Sequence, residues 1–315
     1  MSLQAAALAA GKLQNWDKKA SVRVKPRRIL MREEEERGKL YFSPELVPVA
    51  RHPLVTQFGP AAVREMQVCH LYRYLDFTTL LELDVIGAIS REIALGRIGF
   101  EMPEVVRAEA FKLCTDEAHH AYFSDDVKRQ VAAATDVEPE PLATPAFLKT
   151  LRSVQRGLAP ETSALGEMLF TVVSETLISS ILCEIPKDKR IVSAVREIVA
   201  DHAEDEGRHS AYFSQFFGLL WPQLSHAQQA VVGPLLPHFI LAFLRPDEDA
   251  IRGSLRRLPL EHDQIETVLT ETYPRDSVLK NAREAAAVTL RLLEHRGVLD
   301  EPRIGDEFRA CGLLR

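Results

Sequence analysis

The sequence lacks the features that mark a disulfide-rich protein or a nucleic-acid-binding protein. Among its 315 residues there is no Cys-x-x-Cys pair, and the cysteines lie far apart, at Cys69, Cys114, Cys183 and Cys311. This spacing does not resemble a disulfide framework or a zinc knuckle, so we expect unpaired thiols in a reducing compartment. The net charge of −6 argues against a nucleic-acid partner, because such proteins carry a basic patch.

Targeting and membrane-spanning segments are also lacking. Residues 1–19 are rich in alanine and then in lysine and aspartate, without an apolar core of the signal-peptide type, which predicts a cytoplasmic protein. Residues 165–185 are nearly all apolar but contain Glu167, Glu175 and Glu184. Because a carboxylate in the middle of a membrane span is costly, we expect a buried helix of a soluble bundle and no membrane partner.

Strand signals are nearly absent, whereas apolar residues recur at intervals of three and four, which is typical of amphipathic helices. The pattern predicts four long helices, over residues 60–96, 103–134, 160–185 and 188–220. Pro103 is well placed as the first residue of the second helix. Shorter helices and then a loose tail are expected, with the helices near residues 225–244, 260–272 and 276–296. The predicted fold class is all-α.

We expect a single domain made of three parts. Several prolines and the charged run 32–37 predict an irregular N-terminal arm over residues 1–58 that wraps the rest of the chain. A four-helix bundle over residues 59–222 follows. Residues 223–315 supply C-terminal helices packed on the bundle.

A weak internal repeat places the same short motif on the second and fourth long helices. Glu117 and His120 form one Glu-x-x-His motif, Glu206 and His209 form another, and an aspartate precedes each glutamate. One such motif is weak evidence, because chance supplies it often. Two copies on the second members of two helix pairs are typical of dimetal sites in four-helix bundles, which also take one glutamate from each remaining helix.

The first and third helices each offer such a glutamate. Glu175 lies in an apolar run, where an unpaired carboxylate would be costly or would take up a proton, so metal binding is favoured over contact with the surface or an arginine. Glu82 lies among leucines on a core-like face. Asp84 is its rival, but the face of Asp84 leads to Arg91 and to a surface position. Glu82 is therefore the better candidate.

Four glutamates and two histidines suit iron or manganese, and the absence of thiolates argues against structural zinc. His202 lies one turn before Glu206 on the same helical stripe, which favours a third histidine ligand over an interior or surface histidine bonded to a neighbour. Candidate acceptors for the outer imidazole N–H groups are the three aspartates Asp116, Asp201 and Asp205. Of these, Asp116 and Asp205 are preferred for their equivalent places in the repeat. Arg208 is expected to pair with one of them.

These positions together resemble the p-aminobenzoate N-oxygenase family of diiron proteins, which includes the arylamine oxygenases of aureothin and chloramphenicol biosynthesis. The residues that carry the resemblance are Glu82, Glu117, His120, Glu175, His202, Glu206 and His209. A histidine one turn before the last Glu-x-x-His motif, here His202, distinguishes this family from other diiron bundles. The resemblance covers residues 60–220 and implies a ferritin-like fold.

The resemblance also implies an activity. It predicts two iron ions per chain, O₂ as cosubstrate and an external electron donor such as a reductase. A peroxo-diiron species would oxidise the primary amine of a small molecule, an arylamine or an amino acid, to the hydroxylamine and onward to nitroso or nitro products. The metal centre itself would be catalytic, with no separate protein acid or base, and His202 would modulate the bound oxygen. Similar proteins are homodimers.

Other functions remain open at the level of sequence. One is a radical-generating subunit, although no tyrosine stands out as the radical site. The same dimetal site could support C–H hydroxylation, desaturation or aldehyde oxygenation. A ferroxidase or iron-storage bundle is a further alternative, although the long N-terminal arm and the C-terminal helices argue against a cage-forming short bundle.

Overall fold

The computed structural model describes residues 11–182 and 184–314, which form an all-α structure. The N-terminal part holds four short helices: α1 (Trp16–Lys19), α2 (Ser21–Val24), α3 (Arg32–Glu36) and α4 (Pro53–Thr56). The central helices are α5 (Pro60–Leu81), α6 (Gly87–Ala94), α7 (Glu104–Thr135), α8 (Ala146–Arg156), α9 (Pro160–Ile181) and α10 (Ser193–Leu220). The C-terminal helices are α11 (His226–Val232), α12 (Leu236–Leu244), α13 (Glu248–Leu255), α14 (His262–Thr272), α15 (Arg275–Ala285), α16 (Ala287–His295) and α17 (Pro302–Ala310). The predicted fold class is confirmed.

The four long helical segments pack around one core. The first segment consists of α5 and α6, and the other three are α7, α9 and α10. Helix α7 contacts the first segment and α10, and α9 contacts α10. Local sequence sets several of their ends. Gly59 has a φ of 86°, a conformation that suits glycine, and Pro60 then opens α5 without losing a needed N–H. Asp136 ends α7 in a left-handed conformation with a φ of 55°.

Outside the N-terminal arm, three helices were not predicted from the sequence: α8, α13 and α17. The expected loose tail is wrong, because α17 buries Ile304 and Phe308 in the core. These residues are four apart and so share one helical face. The Glu301 side chain accepts a hydrogen bond from the N–H of Ile304 at 2.8 Å, and Pro302 follows as the first helical residue, so the start of α17 carries a complete local signal.

The N-terminal arm contains short helices rather than irregular chain alone, and buried side chains attach it to the bundle. Leu13 is fully buried, and its N–H donates to the Glu109 carboxylate of α7 at 2.6 Å, beside the N–H of Lys12 at 2.7 Å. Helix α2 contacts both α7 and α10. The first ten residues of the expected arm lie outside the described residues, as does Cys183, while the other three cysteines are free thiols.

Within the described ranges no strand is present, and the only extended pairing is an isolated parallel bridge between Leu40 and Ile191. One segment, His226–Leu255, is long and apolar enough to cross a membrane by length and composition. This is weak evidence, because core helices of soluble proteins pass the same test. Here Leu236, Phe239 and Ile240 of that segment are fully buried in the core.

Candidate metal centre

The first long helix changes its winding at the point where it carries its candidate ligand. A π-helical turn, Glu82–Ile86, joins α5 to α6, and the N–H of Gly87 donates to the carbonyl of Glu82 five residues earlier. An α-helix would use the carbonyl four residues earlier. Glu82 itself is fully buried, whereas the rival Asp84 is exposed and its carboxylate lies 3.1 Å from Arg152. Such turns are frequent at functional sites.

Seven candidate ligand side chains converge inside the bundle. We call them the donor set: Glu82, Glu117, His120, Glu175, His202, Glu206 and His209. Each is at most 1% exposed to solvent. All four long helical segments contribute, so the structure brings together every residue that the sequence predicted as a metal ligand.

Imidazole nitrogens face carboxylate oxygens at the middle of the donor set. His202 Nε2 lies 3.2 Å from Glu82 Oε1 and 3.1 Å from Glu206 Oε1. His209 Nδ1 lies 3.1 Å from Glu117 Oε1 and 3.3 Å from Glu206 Oε1. One oxygen of Glu206, Oε1, therefore lies between two imidazoles of its own helix, one turn before Glu206 and one turn after it.

The donors fall into overlapping groups whose ligand atoms lie within 4.8 Å of one another. The first group is Glu82, His120, His202 and Glu206. The second group is Glu117, His120, Glu206 and His209. A third group holds the carboxylates of Glu82, Glu117 and Glu175. His120 and Glu206 belong to both of the first two groups. The carboxylate of Glu206 could bind two neighbouring cations, whereas His120, whose Nε2 faces Asp205, has one nitrogen left for a single cation.

Several polar atoms of the donor set are buried without any hydrogen bond among the described residues. They include both carboxylate oxygens of Glu82, Glu175 and Glu206, together with Nε2 of His202 and Nδ1 of His209. Buried polar groups without partners are strongly destabilising. Cations placed among these atoms would satisfy them, and a set of carboxylate oxygens and imidazole nitrogens suits iron or manganese. The residues therefore fit a dimetal centre.

The outer nitrogens of two histidines contact the aspartates of the repeat in a crossed arrangement. His209 Nε2 lies 3.1 Å from Asp116, which belongs to the other motif, and His120 Nε2 lies 3.1 Å from Asp205. An aspartate in this position accepts the outer N–H, fixes the imidazole tautomer and leaves Nδ1 facing the donor set. Each motif thus holds the histidine of its counterpart.

Comparison with known families agrees with this geometry. The family model described as p-aminobenzoate N-oxygenase AurF matches residues 13–297, which is most of the chain. The chain belongs to the p-aminobenzoate N-oxygenase family. No curated protein sequence matches it. The family consists of diiron oxygenases, so the protein is a diiron oxidoreductase, and the resemblance predicted from seven residues is confirmed at the level of the family.

One acidic residue of this N-oxygenase-family protein has a different role from the one expected. Asp201 contacts Arg28 at 2.8 and 3.1 Å and Lys25 at 3.5 Å, so its carboxylate faces the N-terminal arm and not an imidazole. Its place directly before His202 on α10 turns it away from the face that carries the ligands. Arg208 donates a hydrogen bond to Asp205, one of the aspartates with which it was expected to pair.

The N-terminal arm contributes two donors that the sequence did not reveal. Trp16 Nε1 donates to both oxygens of Asp116, at 2.9 and 2.8 Å, and the N–H of Ser21 donates to Asp205 at 3.2 Å. These pairs are separated by 100 and 184 residues. Helical spacing carries no signal over such distances. The arm thus supports both aspartates that hold the histidines.

Burial and mutual repulsion change the acidity of the donor set. Burial raises the pKa of Glu175 and of Glu82 well above the usual carboxyl range, and neighbouring carboxylates add to the increase. Burial also acts on Glu206, but the nearby imidazoles of His209 and His202 outweigh it and lower the pKa of Glu206. Burial opposes charge on His202, yet the carboxylates of Glu206 and Glu82 raise its pKa to about 10. Without metal, protons compensate part of the negative charge.

The metal-free protein is expected to lose stability as the pH rises from 6.5 towards 10, the ordinary and the folded-state pKa of His202. In this window the folded protein keeps a proton that the unfolded chain releases. The resulting stabilisation is complete below the window and is lost across it, which lowers the free energy of unfolding by an amount on the order of a few kcal/mol. Bound iron would replace the proton and flatten the dependence. Thermal unfolding at a series of pH values, with and without iron, measures this dependence. The same change of melting temperature with pH in the two forms would contradict the prediction.

Replacing Gly87 with alanine is expected to destabilise the protein by about 1–3 kcal/mol and to weaken iron binding. A Cβ at this position would lie 2.7 Å from the carbonyl oxygen of Glu82, so the π-helical turn would have to shift and carry Glu82 with it. Gly207→Ala on α10 is the matched control. Its added Cβ meets open space, and alanine should stabilise this helix by about 0.5–1 kcal/mol. Denaturant unfolding and iron analysis of both variants test the prediction. A Gly87→Ala protein with the stability and iron content of the wild type would contradict it.

Proposed function

We propose that this protein is an amine N-oxygenase that uses two iron ions held by the donor set to transfer oxygen from O₂ to the primary amine of a small molecule. One observation carries the proposal: seven buried donors from four helical segments converge, in the pattern of a family of diiron N-oxygenases. The amine of an arylamine such as p-aminobenzoate is the leading substrate class, with amino-acid amines second.

The roles of the residues follow from their contacts. The two ions would be held by the donor set: Glu82, Glu117, His120, Glu175, His202, Glu206 and His209. When bound, a pair of ferrous ions supplies the electrons that activate O₂. The carboxylates offset the positive charge of the ions, and Asp116 and Asp205 keep the imidazoles of His209 and His120 in the ligating tautomer. The donor set is completely buried, so bulk water is excluded from the site and side reactions with water would be suppressed.

The wider setting belongs to the same proposal. We infer a cytoplasmic homodimer that takes part in a biosynthetic reaction and receives electrons from an external donor, as the family resemblance suggests. We also infer that the chain works as one domain, in which the arm over residues 1–58 and the helices of residues 223–315 cover the bundle of residues 59–222. Contacts of the arm with Asp116, Asp201 and Asp205 support this organisation.

A screen of amines tests the activity. The protein is loaded with ferrous iron without oxygen, mixed with a reductant and a panel of arylamines and amino acids, and exposed to ¹⁸O₂. Mass spectrometry should show a product that has gained one or two labelled oxygen atoms on nitrogen. Asp84→Asn is the control, because Asp84 is exposed and lies outside the donor set. Labelled oxygen on carbon would indicate hydroxylation instead, and unchanged amines throughout would contradict the proposal.

His202 provides a separate prediction, since it distinguishes this family from other diiron bundles. His202→Ala is expected to retain most of its iron, because six donors remain, but to change the rate of O₂ consumption by about tenfold or more. His119→Ala is the control: this neighbouring histidine is half-buried and lies outside the donor set. Iron content and stopped-flow O₂ consumption are measured. Loss of both ions, or an unchanged O₂ rate, would refute this role for His202.

A further inference from the structure

The N-terminal arm carries a concentration of positive charge on an otherwise acidic protein. Four exposed cations near the start of the arm, which we call the basic patch, are Lys12, Lys18, Lys19 and Arg23. Asp17 is the only acidic residue between the first and last of them, whereas the whole chain has a net charge of −6. The guanidinium of Arg23 lies 5.6 Å from the ring centre of Trp16. Arg23, which also lies 3.9 Å from Asp17, thus covers one side of a half-buried indole, and the three lysines lie within four residues of Trp16 in the sequence.

That indole is hydrogen-bonded to the candidate metal centre through one carboxylate. Trp16 Nε1 donates to Asp116 at 2.8 Å, and Asp116 Oδ2 lies 3.1 Å from Nε2 of His209. The other nitrogen of His209 faces Glu117 and Glu206 within the donor set. Asp116 and His209 are fully buried. A continuous hydrogen-bonded path thus leads from a half-buried aromatic side chain to a candidate iron ligand.

The equivalent path on the other motif is built differently. Asp205, which holds His120, accepts hydrogen bonds from the backbone of Ser21 and from Arg208. A backbone amide and a guanidinium can position a carboxylate, but neither is an aromatic group that couples well to an electron carrier. Among the described residues, Asp116 is hydrogen-bonded to an indole and Asp205 is not.

We propose that an acidic one-electron carrier protein docks on the basic patch and that electrons reach the metal centre along Trp16, Asp116 and His209. This rests on the proposed function, which needs an external electron source. Two reduced carriers each give one electron, two ferric ions become ferrous, and the carriers leave oxidised. No bond in the chain forms or breaks. Opposite charges on the two surfaces would steer the encounter.

Reduction kinetics test the path. The iron-loaded, oxidised protein is mixed anaerobically with a reduced, acidic [2Fe–2S] ferredoxin, and loss of ferric absorbance is followed by stopped flow at saturating ferredoxin. Trp16→Phe should lower the limiting rate constant by about tenfold or more, because it removes the donor to Asp116 while keeping an aromatic ring. Trp221→Phe, at the only other tryptophan, should leave it unchanged. Equal rate constants for Trp16→Phe and the wild type would overturn the path.

Charge reversal tests the docking surface. Lys18→Glu combined with Lys19→Glu should lower the second-order rate constant at low salt by about tenfold or more and reduce its salt dependence. The control reverses two exposed cations on α15, Arg275→Glu with Lys280→Glu, and should leave the second-order rate constant and its salt dependence unchanged. Calorimetric binding of oxidised ferredoxin to the metal-free variants gives a readout that needs no iron. Iron loading that fails in the wild type would count against the proposed function, whereas normal loading with equal ferredoxin binding in all variants would overturn the docking proposal.

Discussion

Glu206→Ala is expected to abolish iron binding and, with it, all oxygenase activity. An oxygen of Glu206 lies 3.1 Å from His202, 3.3 Å from His209 and 3.5 Å from His120, so this carboxylate is the common neighbour of every imidazole in the donor set. Its removal takes a ligand from the first and the second group of donors at once. Iron content should fall from about two ions per chain towards none.

Iron analysis after anaerobic loading and desalting measures this effect. Glu204→Ala is the matched control, because Glu204 lies two residues away on the same helix, is exposed and pairs with Lys25 on the surface. The control should keep the iron content and activity of the wild type. A Glu206→Ala protein that still binds iron as the wild type does would show that Glu206 is not a shared ligand.

Glu175→Leu should have two opposite effects: the metal-free protein becomes more stable, by about 1–4 kcal/mol, while iron binding and activity are lost. Glu175 is fully buried, neither of its oxygens has a hydrogen bond to the described part of the chain, and it lies near Val172 and Leu177 in the sequence of α9. Burial, followed by repulsion from Glu206, raises its pKa. Leucine relieves this destabilisation but removes a ligand.

Denaturant unfolding of the metal-free proteins, together with iron analysis, tests both effects. Glu167→Leu is the control on the same helix, since Glu167 is half-buried and already accepts a hydrogen bond from Gln155 at 3.1 Å. It should retain iron. If Glu175→Leu destabilised the metal-free protein, or bound iron normally, the interpretation of Glu175 as a carboxylate kept for metal binding would be wrong.

Helical spacing was enough to predict where the candidate ligands meet. Glu117 with His120 and Glu206 with His209 are each three residues apart, and that spacing sets a shared face whatever surrounds the helix. The choice of Glu82 over Asp84 also followed from which face was apolar. These are local properties, so the sequence alone could specify them.

The remaining features depend on tertiary contacts or on backbone detail. The π-helical turn at Glu82 leaves the apolar pattern nearly unchanged, so periodicity did not reveal it, although Gly87 marks its end. The crossed pairing of Asp116 with His209 requires two helices to be placed side by side. The contact of Trp16 with Asp116 spans 100 residues of chain. By contrast, the start of α17 carries a local signal in Glu301 and Pro302, so this helix is predictable from the sequence.

The central claim is that the donor set holds two iron ions. Diffraction from a crystal of the protein loaded anaerobically with ferrous iron, recorded at the iron absorption edge, tests it most directly. The anomalous map should show two peaks per chain, one on each side of Glu206, each with at least one imidazole as a ligand. A single peak, or peaks only outside the donor set, would contradict the claim.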